Sequence, residues 1–405
     1  MPDAYFLCSA AMSTSLGLQE KLCRSHTLPS QHATLGVHSD KSEWVHLTHI
    51  HTIVDERFGI LRTTILQESI AMKLSVVFLL LLSNILFYIS VTAHGAAECE
   101  PDGDIEFICG IMNAEDIIAI PGSDFIIASG RISDSAGSIY AINKNSYESR
   151  EVFPKNALAS NFNTSFSASC PGQASTFQPH GVSYRVGTNG AHTLYVVGHG
   201  EREAIEIFEL NTETPWPTLR WIGCIIAPDS VFRFNSVTSL PDGAVAATDF
   251  NRAGGFVWEW NMGKGWSVVP GSEMAGANGL VSSPSGEWLY IAEYFEKNIV
   301  KLSRGQRQPK VERVNVGYMV DNIRWADDDS LFLAGHDREC PEGGGCTNTD
   351  VTVILRAQSE SLSITPVLTW SGRDFFPVST VAIEVDDEVW LGGIRGTDRI
   401  VRHPK

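Results

Sequence analysis

From residue 114 to residue 405 the chain repeats one pattern of apolar and polar positions six times. Each unit has an apolar strand, a turn built mostly of Pro, Gly or Asp, a second apolar strand, and an aliphatic or aromatic third. The turns fall at Pro121-Gly122, Val186-Gly187, Pro241-Asp242-Gly243, Pro284-Ser285-Gly286, Asp327-Asp328-Asp329 and Asp386-Asp387. The runs that follow, such as Leu194-Tyr195-Val196-Val197 and Leu331-Phe332-Leu333, have the length and composition of half-buried or buried strands. Third strands are predicted over residues 137–143, 204–210, 256–260, 298–302, 351–357 and 399–402, and fourth strands in the first five units, for example 264–269 and 311–316. The sixth unit leaves no room for a fourth strand. Residues 100–108 are predicted to supply it, closing the ring and covering an exposed edge.

Six residues before each turn stands a polar side chain: Glu115, His180, Asn235, Asn278, Asp321 and Thr380. A repeat whose most chemical residue always holds the same phase predicts an all-β, six-bladed β-propeller rather than an open sandwich. Its active groups should then gather at one end of the central channel.

The propeller is expected over residues 98–405. Residues 72–93 read as a secretory signal peptide: an apolar stretch over 73–91 behind Met72-Lys73, ending in the small-residue pattern Val91-Thr92-Ala93. Roughly 18 apolar residues can also just span a bilayer, so a type II signal anchor tethering the chain through 73–91 is the competing reading. Arg62 and Lys73 before the stretch, and Glu98, Glu100, Asp102, Asp104 and Glu106 after it, set the orientation for that case. Residues 1–71 carry six of the twelve histidines and no apolar periodicity, and read either as a gene-model extension or as a cytosolic tail. Both readings put the propeller outside the cytosol, secreted or as the outer part of a membrane protein.

Cysteine usage agrees with export. Cys99, Cys109, Cys170, Cys224, Cys340 and Cys346 follow the apolar stretch. Six cysteines allow 15 complete pairings. Cys340 and Cys346 flank a flexible Pro-Glu-Gly-Gly-Gly loop and form the first candidate pair. Asn163-Thr164-Ser165 is a glycosylation sequon in a polar stretch.

Net charge is −17, and residues 98–405 hold 24 basic against 40 acidic side chains. That balance excludes nucleic acid and anionic membrane surfaces as partners, and raises the prospect that some carboxylates hold a cation. Inner-strand starts around one tunnel mouth would bring together Glu115, Asn235, Asn278, Asp321 and the neighbouring Asn322. Carboxylate and amide oxygens are hard ligands that suit calcium, whereas zinc recruits imidazole or thiolate. His46, His49 and His51 have no carboxylate framework around them, and Trp258, Trp260 and Trp266 read as packing between blades. The sequence holds no G-x-S-x-G elbow, P-loop or H-E-x-x-H motif.

Five segments occur in an order that resembles the paraoxonase/arylesterase family, part of a larger gluconolactonase-like propeller group: Ala114-Glu115-Asp116-Ile117, Pro179-His180-Gly181-Val182-Ser183, Val196-Val197-Gly198-His199, Ala277-Asn278-Gly279-Leu280 and Val320-Asp321-Asn322-Ile323. The resemblance implies a calcium-dependent hydrolase of small-molecule esters or lactones. A catalytic calcium would be held by Glu115, Asn235, Asn278, Asp321 and Asn322, His180 would be the general base, and His199 its partner. It also implies a second, structural calcium at Asp116, but the companion aspartate is replaced by Ser236, a weaker ligand. His336 falls where a tunnel-facing, substrate-side histidine is expected. The rival from another class is a non-catalytic, calcium-stabilised propeller acting as a binding or chaperone module, since fold does not decide function.

Overall fold

The computed structural model describes residues 99–132, 136–163, 169–229, 232–339 and 347–405. Those residues form 24 strands in six four-stranded antiparallel sheets, each a meander running from the tunnel outward. The inner strands of blades 1 to 6 are Ala114–Ala119, Phe177–Arg185, Phe234–Ser239, Ala277–Ser282, Met319–Trp325 and Val378–Val385. Each packs against the inner strands of both neighbours, and the first meets the last, so the fold is a closed six-bladed propeller.

Burial falls from tunnel to rim, as the composition demands. Second strands are covered on both faces by adjacent blades, so Phe125–Gly130 and Val245–Asp249 are buried at every position and read as continuous apolar runs rather than alternating ones. The outermost strand of blade 4, Val311–Asn315, has no fully buried residue. Between blades 1 and 6, Ile117, Ile126, Ile400 and Trp390 form part of one apolar cluster, with Trp390 fully buried. Trp266 of blade 3 donates its indole N–H to the Ile226 carbonyl of blade 2 at 2.8 Å, consistent with packing between blades.

The ring closes where the sixth unit runs short. Glu106–Cys109 pairs with Arg399–Pro404, from Glu106 opposite Arg402 to Cys109 opposite Arg399. Arg402 clamps the joint, donating to Glu106 at 2.6 Å and twice to Glu388 on the strand beyond. The closing strand removes an edge that would otherwise template aggregation.

Two disulfides are present among the described residues, Cys99–Cys109 and Cys170–Cys224. The first ties the entering segment to the closing strand. The second spans 54 residues across blade 2, a pairing that no local spacing signals. The expected Cys340–Cys346 bridge lies outside the described residues, as do the leader over 1–71 and the apolar stretch over 72–93. Among the described residues no helix is long and apolar enough to cross a membrane. Asn163 is exposed beside the outer strand of blade 2, where its backbone N–H meets the Ile222 carbonyl at 2.8 Å.

Candidate active site

In all six blades the pairing of the inner strand with its neighbour slips once. The slips fall at Glu115, at His180-Gly181, at Asn235-Ser236, at Asn278-Gly279, at Asp321-Asn322 and at Thr380. The polar residues that share one phase in the sequence are therefore residues of β-bulges. A bulge leaves one residue outside the ladder and re-aims side chains that strict alternation would send into a blade face. The glycines beside two of these residues follow from the same geometry. A Cβ on Gly181 would lie 2.5 Å from the Asn235 carbonyl oxygen, and one on Gly279 would lie 2.5 Å from that of Asp321, because the next inner strand crosses close by.

The bulges deliver Glu115, His180, Asn235, Asn278 and Asp321 to one cavity of about 790 Å³ at one tunnel mouth. Asn322 reaches Glu115 from blade 5, donating its amide to Oε1 at 3.0 Å. Thr380, which has no role in the sequence reading, donates its hydroxyl to the Glu115 carbonyl at 2.6 Å and fixes that bulge from blade 6. The opposite mouth opens into a cavity of about 940 Å³ lined by turn residues such as Pro121, Pro241 and Pro284.

The fit of this site to a cation can be judged from its oxygens. Among the described residues, five buried side-chain oxygens lack any hydrogen-bond partner: Glu115 Oε2, Asn235 Oδ1, Asn278 Oδ1, Asn322 Oδ1 and Asp116 Oδ1. All belong to the bulge residues and their immediate neighbours. Leaving a buried acceptor unmet costs about 1–3 kcal/mol, so concentrating them at one place is expensive unless something satisfies them together. The carboxyls carry the same strain. Desolvation drives Glu115 up to about 7 despite the opposing pull of Arg131, and burial together with the Glu115 charge drives Asp321 well above the carboxylate range. No three His, Cys, Asp or Glu side chains gather as a ligand cluster among the described residues. The set consists of two carboxylates and three amides, which fits a hard cation and not a thiolate- or imidazole-loving one.

A histidine relay adjoins the oxygens. Glu203 Oε2 lies 2.9 Å from His199 Nδ1, and His199 Nε2 lies 2.9 Å from His180 Nδ1. With Glu203 as the acceptor, each imidazole donates from Nδ1, and the chain of protons leaves His180 Nε2 unprotonated, with the Arg131 guanidinium 3.3 Å from it. That nitrogen faces the oxygens, 3.2 Å from Glu115 Oε1. Burial, then the Arg131 charge, then His199 lower the His180 pKa well below the usual imidazole range, so the ring is neutral at neutral pH. Glu203 is itself pinned by the Phe234 N–H at 2.6 Å. The sequence reading missed it, although a carboxylate four residues beyond His199, just across the hairpin, is the available signal.

Of the remaining predicted residues, Asp116 contributes Oδ1 to the unmet oxygens, while Ser236 and His336 stand apart from them. Asp116 is fully buried, and its Oδ2 accepts the Val182 N–H at 2.8 Å and the Arg324 guanidinium. Arg324 also donates to the carbonyls of Ile117, Ile323 and Val182. A cation thus already sits on Asp116. Ser236 accepts the Leu280 N–H at 3.1 Å and joins blade 3 to blade 4. The expected second calcium at Asp116 and Ser236 meets a guanidinium on one residue and a backbone donor on the other. His336 is buried behind Tyr294, whose hydroxyl lies 2.7 Å from its Nε2, so the tyrosine and not the histidine lines the cavity.

No protein-family model matches the chain, and no curated protein does. Solved structures with a similar course include a luciferin-regenerating enzyme, with a TM-score of 0.47, 11% identity and coverage of 74% of this chain and 94% of that one. A gluconolactonase from Xanthomonas campestris gives 0.47, 12%, 74% and 89%. The calcium-binding protein regucalcin from Agrobacterium tumefaciens gives 0.45, 11%, 73% and 90%. The six-bladed fold is established independently of them, by the strand pairing itself.

Proposed function

We propose that this chain is a calcium-dependent hydrolase of esters or lactones. The observation that carries the proposal is the co-location, at one tunnel mouth, of the unmet buried oxygens and an oriented imidazole acceptor. Glu115, Asn235, Asn278, Asp321 and Asn322 would hold the ion. A calcium there supplies Lewis acidity toward a carbonyl oxygen and the oxyanion that develops from it.

The chain's own residues supply the rest. His180 Nε2 accepts a proton from water as that water attacks the carbonyl carbon, and the same proton goes to the departing alcohol oxygen as the ester C–O bond breaks. The charge that develops on the ring is stabilised through His199 by Glu203, which also holds both rings in the tautomer the reaction needs. Asn322 and Thr380 keep Glu115 in place by bonding its side chain and its carbonyl. The cavity, bordered by Phe250 and Tyr294, is large enough for a small acyl group.

Substitution of single groups tests this reading. Asp321→Ala should weaken calcium binding about 100-fold, through loss of one of two carboxylates, and abolish turnover of aryl esters and lactones at micromolar calcium. His180→Gln should leave calcium binding intact while lowering kcat about 100-fold or more. If calcium raises the melting temperature of the purified protein yet no ester or lactone is turned over, the chain is a calcium-stabilised binding module instead.

A further inference from the structure

Arg131 stands out among the charged residues of the cavity. It follows the second strand of blade 1, lines the same mouth as Glu115 and His180, and is half-buried. Of the charged residues near it, Arg202 is held bidentately by Glu206 at 2.8 and 2.9 Å, while Glu203 is hydrogen-bonded to His199 and the Phe234 N–H, and Glu201 to Ser175. Arg131 is different. Among the described residues it forms no ion pair, its Nε is buried without a partner, and its polar contact is to the His180 ring, 3.3 Å from Nε2 and 3.4 Å from Nδ1.

A guanidinium is always charged and presents a planar fork of N–H donors that matches a carboxylate. Holding one partly desolvated and without a counterion is unfavourable, and the deficit closes when an anion arrives. On the reading above, on which this inference rests, a divalent cation balances Glu115 and Asp321 and leaves Arg131 as an uncompensated positive charge beside the reacting carbonyl.

We infer that Arg131 is a substrate-binding residue and that the preferred substrates are esters or lactones bearing a second, permanently anionic carboxylate. The carbonyl under attack lies at the oxygen site, and the distal carboxylate takes the part of the Arg131 guanidinium that lines the cavity. This separates the chain from hydrolases of uniformly apolar esters, for which a guanidinium at this place would be a burden.

The test needs no knowledge of the natural substrate. Binding of glutaramate and of glutaramide, which keeps the amide carbonyl for the oxygen site but replaces the carboxylate by a neutral amide of the same size, is measured by calorimetry on the full chain in calcium. Glutaramate should bind about 10–100-fold more tightly, the range for a hydrogen bond to a charged group. Arg131→Met should erase the difference and Arg131→Lys should keep part of it. In kinetics, the kcat/KM ratio of mono-p-nitrophenyl glutarate over p-nitrophenyl butyrate should fall by a similar factor in Arg131→Met, mainly through KM. Equal affinities for glutaramate and glutaramide in the unaltered protein would overturn the inference, whether or not esters are hydrolysed. Selective glutaramate binding with no turnover of any ester would sustain the anion site and remove the hydrolase.

Discussion

Asp116 and Arg324 are 208 residues apart in sequence and meet as an ion pair sealed between blades, at 0% and 6% side-chain exposure. Removing one partner of such a pair leaves an uncompensated buried charge, at a cost of about 3–5 kcal/mol. Arg324→Met should therefore lower stability by that amount in denaturant unfolding, and Arg324→Met combined with Asp116→Asn should recover most of it. A variant as stable as the parent would show that the guanidinium is not what balances Asp116. At Glu203 the expected signature is kinetic. Glu203→Gln preserves shape but removes the charge that steadies the imidazoles, and should lower kcat about 10–100-fold with calcium affinity unchanged. Unchanged kcat would remove Glu203 from the relay. Phase counting finds Glu115, His180, Asn235, Asn278 and Asp321 because each occupies the same place in its own repeat. It cannot find Arg324, whose partner lies 208 residues away on another blade, and it passes over Glu203, which stands four residues from His199 but outside the repeated phase.

The blades themselves were legible because their second strands are buried on both faces and their turns punctuate them. The bulges were not, since a bulge is a relation between two strands, and one strand's pattern contains no record of its partner's register. Contacts between blades are likewise hidden. Arg304 at the edge of blade 4 binds Glu259 of blade 3 through Nε at 2.7 Å and Nη2 at 2.9 Å, and also Asp242 in that blade's first turn at 2.6 Å. Burial pushes the Glu259 carboxyl up, but the hydrogen bonds from Arg304 and Asn261 outweigh it and the pKa falls below 4.5. A carboxyl depressed in the folded state binds protons more readily when unfolded, so its contribution is complete above the unfolded value and is lost as pH falls through the folded one. Glu259→Gln should cost about 1 kcal/mol at neutral pH, and the gap between variant and parent should narrow as pH falls below the ordinary glutamate range. A gap that does not change with pH would assign the loss to packing instead of charge.

At the scale of the molecule, closure turns six separate bulges into one site. Glu115 comes from blade 1 and Asn322 from blade 5, and they meet only because Glu106–Cys109 completes blade 6 and brings the ring round. The central claim is that this assembled ring of oxygens holds a calcium ion on which hydrolysis depends. The most direct measurement is a calcium titration of the chelator-treated full chain, following melting temperature and the initial rate of aryl-ester or lactone hydrolysis in the same samples. Both should rise from the calcium-free baseline and saturate together. Hydrolysis at full rate in the chelated protein, or calcium saturation with no turnover of any ester or lactone, would contradict the account.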